Sequence, residues 1–284
     1  MPPTLLDHPR FRPVFRALFG GVKFCLRASG LYARGMRNAL DIRLNRLEVA
    51  LEGLPAAFDG YTILHMSDLH ADGPLDFEEP LSRLLATLDI DLCALTGDYR
   101  YRLRCAHDAA AEPMARILRH VSARDGVVGV LGNHDLGTMI GPLRRAGIAM
   151  LVNDCLTLRR GSAEIHLIGL DDVHAYQPAE EAVAALAAMP EGFRILLLHS
   201  PELIGAAADA GVSLYLTGHT HGGQICLPGG FAPMVNIRAP RRYARGLWHH
   251  GRMTGHTSCG VGVSAMPLRY FSRGEITVIT LRRG

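Results

Sequence analysis

Five short apolar runs of this sequence end in aspartate, asparagine or histidine. The terminal residues are, in chain order, Asp68 and His70, Asp98, Asn133 and His134, His199, and finally His219 and His221. All of these side chains offer an oxygen or an imidazole nitrogen, and none offers a thiolate. Such donors suit hard or borderline divalent cations and argue against a closed structural zinc site built from cysteines. The pattern therefore predicts a divalent metal site with oxygen and nitrogen ligands.

Two pairs among these residues have a spacing that bears on geometry. Asp68 and His70 are separated by one residue, and so are His219 and His221. In an extended segment, residues i and i+2 point to the same side of the backbone. We therefore expect the two donors of each pair to converge on one cavity. A lone histidine on an apolar strand is more often a core residue than a ligand, so the prediction rests on all five elements together.

The runs that carry these residues are typical of buried strands. They are "YTILHMSDLH" (61–70), "DLCALTGD" (91–98), "GVVGVLGNHD" (126–135), "FRILLLHS" (193–200) and "SLYLTGHTH" (213–221). Helical patterns over 78–88, 112–121 and 179–189 separate them, and this alternation predicts an α/β protein with a layered sheet. Residues 155–172 predict a hairpin that turns near Gly161 and Ser162, and residues 275–281 predict a last strand. Functional groups collect where such strands end, because a rigid scaffold holds the loops there.

Charge is distributed unevenly along the 284 residues. Residues 1–46 contain nine Arg or Lys against Asp7 and Asp41, whereas the remaining residues are slightly acidic. Apolar residues recur at helical spacing over 11–26, with basic residues mostly on the other face, which predicts a basic amphipathic helix that the Gly20-Gly21 pair weakens. Such a helix either contacts an anionic membrane through residues 10–37 or packs on the protein's own surface.

The remaining composition limits the class of protein. A hydrophobic content of 48% is ample for a sizeable core, and the mildly acidic body gives no reason to expect a nucleic-acid partner. The six cysteines are scattered without a C-x-x-C pair, which is typical of reduced thiols. No apolar run is long enough to span a bilayer, and no convincing signal peptide is present. We expect a cytoplasmic protein, peripheral at the inner face of the cell membrane if the N-terminal helix binds lipid, and we infer no protein partner.

The five elements resemble the pattern of the calcineurin-like metallophosphoesterase superfamily, which runs D-x-H, G-D, G-N-H-[DE], H and G-H-x-H. The pattern is complete and in order here, as Asp68-Leu69-His70, Gly97-Asp98, Gly132-Asn133-His134-Asp135, His199 and Gly218-His219-Thr220-His221. The resemblance covers about residues 47–284. The stretches "MSDLH", "GHTHGGQICLP" and "PLRYFSRGEITVITL" are similar to the bacterial branch of YkuE- and YaeI-type phosphodiesterases.

The resemblance implies a fold and a set of ligands. The fold is a layered sandwich of two mixed β-sheets flanked by helices, formed by residues 47–284 after a basic N-terminal segment at 1–46. One of two divalent metal ions would be held by Asp68, His70, Asp98 and His221. The other would be held by Asp98, Asn133, His199 and His219, with the Asp98 carboxylate bridging. Mn²⁺ is the first choice for both, with Fe, Zn²⁺ or Mg²⁺ as alternatives.

Further side chains near the motifs have two interpretations each. By the resemblance, His134 is a catalytic residue that protonates or stabilises the leaving oxygen of a phosphoester, and it is not a ligand. Asp135 either orients His134 or caps a helix. The arginines Arg100, Arg102 and Arg104 either lie on a solvated loop, which is the favoured interpretation, or bind a second phosphate or an acidic head group. His65 is interpreted as a buried residue, and His256 as a surface or loop residue.

Three functions are compatible with this sequence. The first is hydrolysis of a phosphodiester or pyrophosphate bond on a membrane-associated, lipid-linked substrate such as UDP-2,3-diacylglucosamine, an activity that some members of the superfamily carry. The second is a soluble phosphodiesterase or phosphatase that acts on nucleotides, including cyclic ones. The third is a metal-stabilised binding protein without catalysis. The complete ligand set and His134 argue against the third, since a protein that has lost activity usually lacks one of them.

Overall fold

Residue 21, residues 23–102 and residues 108–284 are described by the computed structural model of the chain. Its strands are β1 (Arg43–Leu51), β2 (Thr62–Met66), β3 (Leu92–Leu95), β4 (Val127–Gly129), β5 (Ile148–Met150), β6 (Asp154–Arg160), β7 (Ala163–Gly169), β8 (Arg194–Leu197), β9 (Val212–Thr217), β10 (Gly246–His250), β11 (Met253–Thr257) and β12 (Glu275–Arg283). The helices that we label are α1 (Leu31–Leu40), α2 (Glu78–Leu85), α3 (Ala111–Leu118), α4 (Ile140–Arg145), α5 (Ala179–Ala187) and α6 (Ile204–Asp209).

The strands form two six-stranded mixed sheets. The first has the order β1-β12-β2-β3-β4-β5 and the second the order β10-β11-β9-β8-β7-β6. Strands β2, β3, β4 and β5 run parallel to one another, as do β7, β8, β9 and β11. The last strand of the chain, β12, lies between β1, to which it is parallel, and β2, to which it is antiparallel. The carboxyl ends of the parallel strands in each sheet therefore lie along one edge of that sheet.

Three hydrophobic cores hold the layers together. Alternate residues of β2 face opposite sides: Ile63 packs in the core between the two sheets, whereas Leu64 and Met66 pack under α1 to α4. The third core lies under α5 and α6 and includes Leu196 and Tyr215 of the second sheet. Strands buried on both faces read as continuous apolar runs, which explains the sequence pattern. The architecture is the predicted α/β sandwich of two packed sheets with flanking helices.

The predicted elements are present, with helices that end earlier than the patterns suggest. The three central helices stop at Leu85, Leu118 and Ala187, and the hairpin turns at Gly161 between β6 and β7. Residues 275–281 lie within β12 as expected.

The N-terminal part of the described chain packs on the body. Arg269 N donates to Gly35 O (3.1 Å), and Asn38 Nδ2 donates to Arg269 O (3.0 Å), so α1 lies against the segment before β12. Strand β1 begins at Arg43, so the predicted boundary at 46/47 falls inside a strand, and a separate role for residues 1–46 stays a prediction.

Most of the amphipathic helix predicted over 11–26 lies outside the described residues. In the part of the chain that the structure describes, no helix has the length and apolar character that crossing a membrane requires.

Candidate metal centre

The candidate site lies where parallel strands of both sheets end. Asp68 and His70 follow β2, Asp98 follows β3 and Asn133 follows β4, whereas the second sheet supplies the residues after β8 and β9. Hydrogen bonds between the sheets align these loops: His219 N donates to Asp68 Oδ2 (3.0 Å). His199 Nδ1 likewise donates to the carbonyl oxygen of Thr96 (2.6 Å). The structure thus brings together all seven residues predicted as ligands, as well as His134.

The backbone of the ligand loops is left-handed where extended backbone was expected. The φ angles are 52° at Asp68, 44° at His70, 56° at Asp98, 70° at His219 and 50° at His221. Residues other than glycine occupy this region at a cost of about 1–3 kcal/mol each and are concentrated at functional sites. The D-x-H and H-x-H pairs are therefore not extended as predicted. The left-handed backbone at each of these five residues directs its side chain.

Close packing explains why glycine stands next to these donors. A Cβ added to Gly218 would collide with Ser67 Oγ and Asp68 Oδ2, and one added to Gly132 would collide with the Asp98 carboxylate. Glycine is thus required where two ligand loops cross.

The first group of donors is formed by Asp68, His70 and His221. His70 Nε2 lies 3.2 Å from His221 Nε2, which in turn lies 3.4 Å from Asp68 Oδ1. Asp68 Oδ1 is buried and, among the described residues, accepts no hydrogen bond. Three ligand atoms therefore face one point in the interior, as in a metal site.

The second group is formed by Asn133, His199 and His219. Asn133 Oδ1 lies 2.7 Å from His219 Nδ1 and 3.0 Å from His199 Nε2, and the two ring nitrogens lie 3.3 Å apart. The two histidines of the H-x-H motif thus belong to different groups, since His221 faces Asp68 and His70.

Asp98 lies between the two groups. Its Oδ2 is 3.7 Å from His70 Nε2 in the first group and 3.4 Å from His199 Nε2 in the second. Its Oδ1 accepts a hydrogen bond from the main-chain N–H of His134 (2.8 Å), which fixes the rotation of the carboxylate. One oxygen of Asp98 is therefore placed to face two cations at once.

Main-chain carbonyl groups orient three of the histidines. His70 Nδ1 faces Arg100 O (2.9 Å), His199 Nδ1 faces Thr96 O (2.6 Å) and His219 Nε2 faces Asn236 O (2.7 Å). Because a carbonyl oxygen can only accept, each of these nitrogens carries the proton. The other nitrogen of each ring is directed into the site, an arrangement that is usual for histidines that bind metals.

Burial and charge shift the pKa values in the site. Burial raises the pKa of Asp68 to about 6 and that of Asp135 to about 7, and it lowers the pKa of His70 to about 4. Burial alone would lower the pKa of His199, but the nearby Asp98 carboxylate holds it well above the ordinary value. Buried carboxylates are costly unless positive charge offsets them. Burial likewise lowers the pKa of His219 and His221, so the neutral imidazoles of these two residues and of His70 stand beside buried acids, a donor set that fits divalent cations.

His134 lies at the mouth of the site. Its Nε2 is 4.0 Å from Asp98 Oδ2, and its side chain is 18% exposed, so the ring borders both the ligands and the solvent. Its ring centroid is 4.9 Å from that of His70. A group in this position can exchange a proton with a molecule that enters the site.

Asp135 orients the loops and caps no helix. Its carboxylate accepts hydrogen bonds from the main-chain N–H groups of Gly132, Asp98, Tyr99 and Arg100, at 2.8–3.2 Å for the shortest contact to each. The following 3₁₀ helix instead begins after Leu136. Asp135 thus joins the loop that carries Asp98 to the loop that carries Asn133 and His134.

Arg100 does not lie on a solvated loop, which corrects the favoured interpretation of that residue. It is 2% exposed, and its Nε donates to His134 O (2.9 Å). Arg102 is exposed, and its main-chain N–H donates to Asp72 Oδ2 (3.3 Å). Arg104 lies outside the described residues.

Four supporting residues lie outside the sequence motifs, namely His174, Glu202, Asn236 and Arg269. The His174 ring lies 4.2 Å from that of His219, between centroids. His174 also contacts Glu202 Oε1 (3.3 Å) and Asn236 Nδ2 (3.2 Å). Arg269 is fully buried and donates to main-chain oxygens of Cys259 and Gly262. Only His174 had a signal, since "DDVHAY" follows the strand β7 of the second sheet.

The histidine pair beneath the site corrects a second prediction. His256 is buried in β11, and its Nδ1 lies 2.9 Å from Nδ1 of His65, which is buried as predicted. The interpretation of His256 as a surface residue is therefore wrong.

Residues 61–223 match the family described as calcineurin-like phosphoesterase. The metallophosphoesterase YkuE of Bacillus subtilis is 32% identical over 244 residues, which cover 81% of this chain and 82% of the relative. The phosphodiesterase YaeI of Escherichia coli is 31% identical over 231 residues, 78% of this chain and 82% of the relative. UDP-2,3-diacylglucosamine pyrophosphatase LpxG of Chlamydia muridarum is 25% identical over 243 residues, 66% of this chain and 71% of the relative.

The matched region contains every donor described above. It begins with β2 and ends just after His221, so the similarity includes four strands of each sheet and the loops that carry the donors. Together with the arrangement of buried aspartates and histidines, this identifies the chain as a metal-dependent phosphoester hydrolase that belongs to the calcineurin-like phosphoesterase family.

Proposed function

We propose that this protein hydrolyses a phosphodiester or pyrophosphate bond at two divalent cations, on a lipid-linked substrate held at a membrane surface. The observation that carries the two-cation part is the position of Asp98 Oδ2, which faces His70 at 3.7 Å and His199 at 3.4 Å. A single carboxylate oxygen between two groups of donors is what a pair of adjacent cations requires, because it offsets their repulsion.

In this proposal the two donor groups are the two ligand sets. Asp68, His70 and His221 hold one ion, Asn133, His199 and His219 hold the other, and Asp98 contributes to both. When bound, such a pair of ions, Mn²⁺ first and Fe, Zn²⁺ or Mg²⁺ as alternatives, supplies Lewis acidity toward water and toward phosphoryl oxygens. The chain's own contribution is orientation, since carbonyl groups fix three imidazoles in the form that leaves one nitrogen free.

His134 acts on the leaving oxygen. Its ring borders both Asp98 and the solvent, so Nε2 can approach the bridging or terminal oxygen of a phosphoester that enters the site. In the protonated form it donates that proton as the P–O bond breaks, which a histidine can do near neutral pH. Asp135 and Arg100 keep His134 in place through its loop and its carbonyl oxygen.

Hydrolysis of bis-p-nitrophenyl phosphate with added Mn²⁺ tests the catalytic proposal. We expect turnover by the wild type and a loss of about two orders of magnitude or more in Asp98→Asn, since both ions lose a ligand charge. His249→Asn, a change on an exposed part of β10, is the matched control. Equal rates for the wild type and Asp98→Asn would leave only a metal-stabilised binding protein.

The lipid-linked substrate is supported by one relative and by the charge of the N-terminal segment. LpxG is named as a pyrophosphatase of UDP-2,3-diacylglucosamine, a nucleotide-linked lipid. The alternative, a soluble phosphodiesterase acting on nucleotides, is supported by the name of YaeI. A panel of UDP-2,3-diacylglucosamine, a phospholipid and a cyclic nucleotide separates the two. Higher kcat/KM on the cyclic nucleotide than on either lipid would favour the soluble enzyme.

The basic N-terminal segment is proposed to hold the protein at the inner face of the cell membrane. Arg27 and Lys23 lie over the ring of Tyr32 at 5.0 Å and 5.9 Å from its centroid, next to α1. We expect Lys23→Glu/Arg27→Glu to sediment less with vesicles that contain phosphatidylglycerol, because each basic residue near an anionic surface contributes about 1 kcal/mol. Arg83→Glu, on exposed α2, is the control, and equal loss in both variants would contradict a specific role.

A further inference from the structure

A second surface of the protein combines exposed apolar side chains with unpaired positive charge. Residues 210–274 contain seven arginines and no Asp, Glu or Lys. Within this stretch five large apolar side chains are exposed, of which Leu247 (41%) lies in β10. We call the other four the apolar rim: Leu227 (52%), Phe231 (60%), Met234 (80%) and Phe271 (60%). Exposed apolar residues are common singly, but several within one uninterruptedly basic stretch indicate an interaction surface.

The apolar rim is attached directly to the ligand loop of the metal centre. Asn236 O accepts from His219 Nε2 (2.7 Å), and Cys226 Sγ contacts Gly222 O (3.3 Å), so both ends of the 226–236 loop are held at the last ligands. Cys226 N donates to Tyr270 O (2.8 Å), which places Phe271 beside the start of the same loop. Whatever binds the rim is therefore adjacent to the catalytic cavity.

Four exposed arginines lie between Met234 and Phe271 in the sequence, namely Arg238, Arg241, Arg242 and Arg245. The guanidinium of Arg241 lies 5.3 Å from the ring centroid of Phe231, so charge and apolar surface are in contact. Within the described part of the chain none of these four forms an ion pair, whereas Arg83, Arg116, Arg124 and Arg159 all do. Glu202 accepts a hydrogen bond from the main-chain N–H of Arg238 (3.1 Å) and lies near its charge, so the charges of the other three arginines are the ones left free for an anionic partner.

This combination matches the chemistry of an anionic bilayer. Apolar side chains insert at the boundary between head groups and acyl chains, while arginines remain at the level of the phosphates, to which guanidinium groups bind strongly. Apolar insertion and arginine–phosphate contacts therefore both contribute to the free energy of binding to such a bilayer. An acidic soluble partner would satisfy the arginines but would leave the apolar side chains without an apolar medium.

We infer that the apolar rim and the four arginines dock the mouth of the metal centre onto an anionic membrane surface. This inference deepens the proposed function and depends on it for the lipid-linked substrate, since docking here would present such a substrate to the ligand loops without removing its acyl chains from the bilayer. The start of α1 lies on the same side, because Tyr270 Oη donates to Leu31 O.

Insertion is tested by a tryptophan placed in the rim of the full-length protein. In Phe231→Trp we expect the emission to shift to shorter wavelength with vesicles of phosphatidylglycerol and phosphatidylethanolamine, and to stay unchanged with phosphatidylcholine alone. The native Trp248 is buried and supplies a constant background. Val183→Trp, an exposed position on α5 beside Glu180 and Glu181, is the matched control and should not shift. Absence of a shift at position 231 would overturn the inference, and so would a shift that depends on protein concentration without vesicles.

Binding and catalysis are then measured separately. We expect Phe231→Ser/Met234→Ser, and independently Arg241→Glu/Arg242→Glu, to weaken vesicle binding about tenfold or more while hydrolysis of soluble bis-p-nitrophenyl phosphate stays at the wild-type rate. Vesicle binding needs no turnover, so an inactive protein would refute the proposed function and leave this inference standing. Unchanged vesicle binding in both double variants would refute the inference and leave the catalytic proposal standing.

Discussion

His219 donates its Nε2–H to the main-chain carbonyl of Asn236 at 2.7 Å. This hydrogen bond turns Nδ1 of the same ring toward Asn133 and His199, whereas His221, two residues later, turns Nε2 toward His70. The two histidines of "GHTHGG" thus point into different groups of donors. Each is expected to belong to a different cation.

Replacing either histidine should remove one cation and leave the fold intact. In His219→Gln and His221→Gln we expect about one Mn²⁺ per chain where the wild type holds about two, because each ion loses one of its few protein ligands. Elemental analysis after dialysis measures the metal, and circular dichroism checks the fold. His249→Gln is the control, and two ions retained in either ligand variant would contradict the assignment.

Replacing His134 should spare the metals and slow the chemical step. In His134→Asn we expect kcat to fall by a factor of about 10² to 10⁴, the usual contribution of a general acid. The loss should be larger for a substrate with an alkyl leaving group than for bis-p-nitrophenyl phosphate, because p-nitrophenolate leaves without a proton. An equal loss for both leaving groups would show that His134 does something other than protonate the leaving oxygen.

Asp135 is not one of the proposed metal ligands, but replacing it should lower the stability of the fold. Asp135→Asn places an amide where four main-chain N–H groups need an acceptor, so we expect the free energy of unfolding to fall by about 1–3 kcal/mol. Urea unfolding in the presence of chelator measures this without a contribution from metal binding. In the control variant Asp209→Asn, at the exposed end of α6, the free energy of unfolding should change little. Similar free energies of unfolding for the two variants would contradict the orienting role of Asp135.

The buried pair of His65 and His256 should make the protein less stable in acid. Burial lowers the pKa of His256 from 6.5 to about 4, so below pH 6.5 the unfolded chain takes up a proton that the folded chain does not. The free energy of unfolding should therefore fall as the pH decreases from 6.5 to 4, by up to about 1.4 kcal/mol per pH unit for this residue. The measurement is the free energy of unfolding as a function of pH, in chelator, for the wild type and for His256→Asn. Equal pH dependence in the two proteins would contradict a contribution from His256.

The sequence predicts the site far better than it predicts the surroundings of the site. Asp98 or His199 can be recognised because each ends an apolar run, and parallel strands necessarily bring such ends together. His174 and Asn236 reach the ligands from loops whose course depends on tertiary packing, and no local pattern encodes that course. Left-handed backbone at His70 or His221 is equally hidden, because histidine adopts it more often than most residues but still in a minority of cases.

Burial of isolated polar residues is the other part that could not be predicted. Arg100 was expected on a solvated loop, and no sequence pattern predicted a buried position for Arg269, yet both are buried and bind main-chain oxygens. Their partners are carbonyl groups, which every residue has, so the sequence contains no complementary side chain that would indicate the contact.

Titration of the chelated protein with Mn²⁺, monitored by hydrolysis of bis-p-nitrophenyl phosphate, shows whether catalysis needs two cations. We predict little turnover up to one equivalent, a rise to full rate between one and two equivalents, and no comparable rise in Asp98→Asn, whose carboxylate lies between the two donor groups. Full activity at one equivalent, or a wild-type rate in Asp98→Asn, would contradict a site that works with two cations.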